Sequence, residues 1–133
     1  MNTEENPQPT LYELIGGEEK LRGLVDRFYD LMDLEHGYAG IRALHPTTLE
    51  GSRDKLFWFL SGWTGGPNLF IERFGHPRLR ARHLPYAIGT SERDQWLHCM
   101  NQAMQEVEID PALQAHLQKA FAETADWMRN THG

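Results

Sequence analysis

The sequence has 133 residues, 40% hydrophobic and 11% aromatic, which suits one compact domain with a core of its own and makes disorder the wrong default. Its net charge of −6, with histidine neutral, excludes a surface built throughout for nucleic acid or anionic membrane. A single cysteine, Cys99, excludes both an internal disulfide framework and a multi-cysteine zinc site. The start, Met1 to Pro7, is polar and acidic and lacks the basic and apolar parts of a signal peptide, and no apolar run approaches the ~20 residues of a membrane helix. The expectation is a soluble cytoplasmic protein with no membrane and no nucleic-acid partner.

Residues 1–9 read as a flexible tail, and 10–133 as a single domain. Thr10-x-x-Glu13 matches a capping box, predicting a short helix over Leu11 to Ile15 that stops at Gly16-Gly17. Leu21, Leu24, Val25, Phe28, Leu31 and Met32 recur in steps of three and four, the pattern of an amphipathic helix over 18–34, broken by glycines at 37 and 40. Thr47-x-x-Glu50 is a second capping box. It is followed by Leu49, Leu56, Phe57, Phe59, Leu60 and Trp63 on a helix that ends at Gly65-Gly66-Pro67.

Residues 67–90 are less regular and read as short helical pieces and loops. Ser91-x-x-Asp94 can open the next helix, whose apolar face holds Trp96, Leu97, Met100, Ala103, Met104 and Val107. Asp110-Pro111 joins a capping carboxylate to a proline at the first helical position, and Leu113, Leu117, Ala120, Phe121, Thr124 and Met128 line the last helix. No segment sustains period-two alternation between hairpin turns, so the fold class is all-α.

The irregular stretch holds Arg73, Arg78, Arg80 and Arg82, with His76 and His83 and no acid beyond Glu72. In an acidic chain this is a local electropositive site suited to a carboxylate or phosphate, or else a solvated basic face. Pro85 disfavours helical geometry at Leu84, so a short helix should end near His83. Carbonyls free at that end can accept the imidazole N–H and leave the other ring nitrogen as a metal ligand. A lone histidine is more often a surface or satisfied core residue, and Pro77 and the lack of a third ligand argue against a zinc site with His76.

The string Gly75 to Ile88, with Arg82-His83-Leu-Pro-Tyr86 at its centre, closely resembles the proximal region of group II truncated haemoglobins. Gly16-Gly17, Arg27-Phe28-Tyr29, Trp63-Thr-Gly-Gly-Pro67 and Glu92 to Met100 resemble other parts of that family in the same order. The resemblance spans about Leu11 to Trp127 and implies a two-over-two helical sandwich around haem b, the iron protoporphyrin. It implies His83 as the iron's proximal ligand and Arg82 as a partner of a haem propionate, with Lys55 in a similar role. Ser52, Leu56, Phe59 and Tyr86 fall at positions beside the cofactor, Ser52 where larger globins place a distal histidine. On the distal side it implies Tyr29, Trp96 and His45 as hydrogen-bond donors to a bound ligand, although by pattern alone Tyr29 and Trp96 read as core residues.

The function so implied is a globin that reversibly binds dioxygen and other diatomic ligands. Two classes stay open within it, a binding or storage protein and a redox enzyme that dioxygenates nitric oxide or reduces peroxide. The chain has no nucleotide motif, so turnover needs an external reductase, and the expected state is a monomer or weak homodimer. The alternative is a haem-free helical interaction or metal-binding domain. Cys99 reads as a core thiol, and His36, His98, His116 and His132 as surface residues.

Overall fold

The structure is a computed structural model that describes residues 8–131. The long helices form two pairs: α2 (Gly17–Leu34) packs on α4 (Glu50–Trp63), and α7 (Thr90–Glu106) packs on α8 (Pro111–Trp127). The pairs cross where α2 meets α7. Shorter helices join them: α1 (Leu11–Ile15), α3 (Ala39–Arg42), α5 (Leu69–Phe74) and α6 (Leu79–His83), with a 3₁₀ turn at His36–Tyr38. The fold is all-helical and two-over-two, as the apolar periodicities and the family resemblance imply.

The predicted faces supply the core. Leu21, Leu24, Val25, Phe28, Leu31 and Met32 of α2 meet Met100, Ala103 and Met104 of α7, all almost fully buried, and Leu117 and Phe121 of α8 close the layer. Arginines bridge the helix pairs at the rim: Arg22 to Asp54 and Arg53 to Asp30 between α2 and α4, Arg27 to Glu106 between α2 and α7, and Arg93 to Asp126 between α7 and α8. Partly exposed pairs of this kind contribute little each and act more on register than on stability.

Local signals at the helix ends hold unevenly. The Thr10–Glu13 capping box forms in both directions, and Asp110 accepts from the amides of Ala112 and Leu113. The Thr47–Glu50 box does not form: α4 is preceded by Leu49 with no side-chain cap, and Thr48 Oγ1 accepts from the Glu50 amide at 3.4 Å. The helix expected to open at Ser91 begins at Thr90, where Glu92 accepts from the Gly89 amide at 2.7 Å. α4 takes Leu49 as its N-cap and Glu50 as its first residue, so Thr47 and Glu50 fall out of capping register, whereas Gly89 is buried and its amide needs a protein partner. Glycines 37 and 40 do not end α2, which stops at Leu34; Gly40 instead leaves room for the Gln95 side chain, which accepts from the Ile41 amide.

Gly65-Gly66 ends α4 as expected. Gly65 lies at φ +92°, and the Tyr12 ring lies so close over Gly66 that an added Cβ would sit 2.5 Å from it. The amide of Tyr12 donates to Thr64 O at 2.8 Å, which pins α1 across this turn. Gly66→Ala must therefore displace α1, and it is expected to lower stability by about 1–3 kcal/mol, read from the shift of the urea midpoint at unchanged slope. An unchanged midpoint would show that α1 is not packed there.

Candidate functional site

Tyr29 stands on the inner face of α2, one residue beyond the Phe28 crossing point, and is 5% exposed. Its ring meets Phe28 edge-on at 4.9 Å and His45 edge-on at 5.7 Å. The Arg53 guanidinium, held by Asp26 and Asp30, lies 5.9 Å from its centroid. The Tyr29 hydroxyl has no hydrogen-bond partner among the described residues, although burial holds its pKa far above the usual phenol range, with Arg53 opposing. Trp96 reaches the same region from α7, packing on Phe28 at 5.2 Å and on Phe121 of α8 at 5.5 Å. Its indole N–H likewise has no acceptor among the described residues. Two donors thus stand at the crossing of the helix pairs without partners among the described residues, and neither polar atom is sealed from its surroundings.

The histidines share one local device. His83, the last residue of α6, holds Nδ1 2.7 Å from Leu79 O. His45 holds Nδ1 2.8 Å from Ile41 O. A carbonyl only accepts, so in each neutral ring the proton sits on Nδ1 and Nε2 carries the free lone pair. For His83 this is the state a metal ligand requires. For His45 it reverses the expected polarity: the neutral ring presents an acceptor, not a donor. Burial lowers the pKa of His45, the Ile41 carbonyl opposes, and the charge of Arg42 adds to the lowering.

The end of α6 is where the proline predicts, but for another reason. Leu84 keeps helical angles, φ −56° and ψ −33°. The ladder stops because Pro85 itself has no N–H to continue it.

The remaining positions are distributed as follows. Leu56 and Phe59 are partly buried against the core. Phe59 also lines a cavity of about 500 Å³ with Trp63, Pro77, Leu79, Trp127 and Met128, between α4, the start of α6 and the end of α8. Ser52 is half-buried, and Lys55 is exposed with no ion pair among the described residues. Tyr86 is 45% exposed, its amide donating to His83 O. The Arg82 Nε donates to Pro77 O at 2.5 Å, and its guanidinium lies over Phe70 and Phe74. His36, His98 and His116 are exposed; His132 lies outside the described residues.

Arg22, Arg27, Arg42, Arg53, Arg93 and Arg129 each face a carboxylate. Arg73, Arg78, Arg80 and Arg82 face none among the described residues. Three of them donate to backbone carbonyls instead. The basic stretch seen in the sequence therefore has no carboxylate partner among the described residues; it runs up to the His83 imidazole, and Arg78 and Arg80 line the cavity together with Glu123 and its apolar residues. Haem brings two carboxylates, a flat apolar ring and an iron, and these residues fit all three.

A family model described as bacterial-like globin matches residues 10–130. The chain belongs to the bacterial-like globins, in the group II truncated, two-on-two branch. It is 39% identical over 119 residues to the group 2 truncated hemoglobin YjbI of Bacillus subtilis, covering 90% of this chain and 87% of that one. The group II 2-on-2 hemoglobin of Agrobacterium tumefaciens superposes with a TM-score of 0.91 at 41% identity, over 96% of this chain and 98% of that one. The structure of the truncated oxygen-avid haemoglobin from Bacillus subtilis superposes with a TM-score of 0.85 at 38% identity, over 92% of this chain and all of that one. Membership implies haem and diatomic gases as cofactor and ligands. Among the described residues no helix is long and apolar enough to cross a membrane.

Sequence reasoning missed Arg53, which anchors α4 to α2 beside Tyr29; its signal was the Asp26/Asp30 pair, one turn apart on α2. The unfolded chain releases the tyrosine proton near pH 10, whereas native Tyr29 keeps it, so stability falls as pH rises past about 10. Tyr29→Phe is expected to flatten the alkaline limb of the melting-temperature profile between about pH 9 and 11 relative to the wild type. Parallel limbs would show that the phenol is solvated.

Cys99 is fully buried, its Sγ donates to Phe28 O at 3.2 Å, and burial pushes its pKa up to about 12. It should resist a disulfide labelling reagent at pH 8 in the native protein and react once the chain unfolds. Fast native labelling would refute the packing of α2 on α7.

Proposed function

We propose that the chain binds haem b through His83 and reversibly binds dioxygen and other diatomic ligands, with a redox role that draws electrons from an external reductase. The observation that carries this reading is the imidazole of His83, its Nδ1 proton held by Leu79 O so that Nε2 is free to ligate. Haem, when bound, supplies an iron centre that takes up diatomic gases and exchanges electrons. The protein's own residues do the rest. The Leu79 carbonyl sets the tautomer and raises the basicity of His83. Leu56 and Phe59 keep water from the ring's apolar faces. Arg82 and Lys55 pair with the propionate carboxylates. Tyr29 and Trp96 donate hydrogen bonds to a ligand that gains negative charge on binding, while His45 presents an acceptor on the same side.

Two donors with no protein partner among the described residues favour slow ligand release, and with it reactivity over transport. The Bacillus subtilis relative described as oxygen-avid supports the same direction. Nitric oxide dioxygenation and peroxide reduction are the two reactions proposed, and cytoplasmic residence as a monomer or weak homodimer is the proposed setting.

Absorption spectra of the purified protein and of His83→Ala, with haem supplied and before and after dithionite and carbon monoxide, test the ligation. A Soret band that shifts on both additions and is lost or deranged in the variant is expected; a colourless wild type would overturn the reading. Tyr29→Phe and Trp96→Phe are each expected to speed dioxygen release roughly 10- to 100-fold, the effect of one hydrogen bond to a charged group, about 1.5–3 kcal/mol. Turnover of nitric oxide or peroxide with a reductant present separates the redox role from storage, which predicts stoichiometric binding alone.

A further inference from the structure

Between Phe70 and Ile88 no residue is buried, and none of the five residues of α6 is. Hydrophobic packing therefore does not position the helix that carries His83. Polar contacts from the end of α8 do. Asn130 donates through Nδ2 to His83 O at 3.2 Å and to Tyr86 O at 2.8 Å, and its Oδ1 accepts from the Ile88 amide at 2.9 Å. Its backbone amide donates to Ile88 O at 2.8 Å, joined there by the Thr131 amide at 3.2 Å. From the other side Arg80 donates to Trp127 O at 2.6 Å and Arg129 O at 3.0 Å, with its guanidinium 5.3 Å from the Trp127 ring centroid. Trp127 O lies at the carbonyl end of α8, where the helix dipole favours a cation.

We infer that Asn130 is a positioning residue for the iron ligand. Its one carboxamide satisfies three backbone groups, one on the last residue of α6 and two on the chain that follows, and with Arg80 it holds His83 in place before haem enters. This rests on the haem reading above and goes beyond it, because it assigns control of the His83–iron bond to the carboxy-terminal end of α8. Both ends of the amide are needed. Asp at this position keeps an acceptor for the Ile88 amide but sets a carboxylate against the carbonyls of His83 and Tyr86.

The test compares wild type, Asn130→Ala, Asn130→Asp and Leu113→Ala, the last a core truncation near the start of α8 that serves as a control for lost stability. Three quantities are read: the iron–histidine stretching band of the ferrous protein by resonance Raman, the rate of haem transfer to excess apomyoglobin, and amide exchange of 83–88 in the haem-free chain. Both Asn130 variants are expected to shift or broaden the band and to release haem about tenfold faster, the factor that 1.4 kcal/mol corresponds to. Exchange at Ile88 should rise in Asn130→Ala and stay near wild type in Asn130→Asp. Leu113→Ala should leave the band and the Ile88 amide unchanged.

Asn130 variants with a wild-type band and haem-transfer rate would overturn the proposal, and so would a Leu113→Ala variant that moves both equally. A wild type that takes up no haem would overturn it together with the functional reading, an outcome distinct from normal uptake with an unmoved band.

Discussion

The crossing of α2 over α7 at Phe28 governs the rest of the molecule. The ring is fully buried, touches both Tyr29 and Trp96, and its backbone carbonyl accepts from Cys99 of α7. Because side chains on a helix lean in fixed directions from their backbone, seating Phe28 in this contact sends Tyr29 to the inner side of α2 and Trp96 toward it from α7. Tyr29 and Trp96 are thus placed by a core contact and not by hydrogen bonds of their own. Their hydroxyl and indole N–H have no hydrogen-bond partner among the described residues.

Charge is organised on the same plan. Arginines outside the 73–82 stretch are matched to carboxylates, four of them across helix pairs, while Arg73, Arg80 and Arg82 inside it are tied to carbonyls and aromatic rings. A net-acidic chain with a basic segment that has no carboxylate partner among the described residues attracts a small dianion to one edge and repels it elsewhere. That edge is also the least packed part of the chain. α5 places Phe70 in the core against α4, whereas α6 buries none of its residues.

Much of this was legible in the residues. The apolar steps of three and four in α2, α7 and α8 were a direct reading, since burial of one helical face demands that spacing. Thr10-x-x-Glu13 and Asp110-Pro111 also read true, because each satisfies its helix end within a few residues of chain. Thr47-x-x-Glu50 misled because α4 starts at Glu50 with Leu49 as its N-cap, which puts the pair out of capping register. The shift of α7 from Ser91 to Thr90 arose because the buried Gly89 amide required a partner that Glu92 supplied.

The sequence by itself determined the helical class, the faces that make the core, and the family, through motifs whose order along the chain no single helix pattern would produce. It also determined that the basic stretch ends at a histidine before a proline. The tertiary structure alone decided which nitrogen of His83 and His45 is free, since that depends on a carbonyl one turn earlier lying in the ring plane's reach. It alone decided that Arg53 meets Tyr29 and that Asn130 meets His83, residues 24 and 47 positions apart along the chain. Such contacts have no local spacing to announce them: they arise where independently folded helices are brought together, and only the packing of the whole chain states where that is.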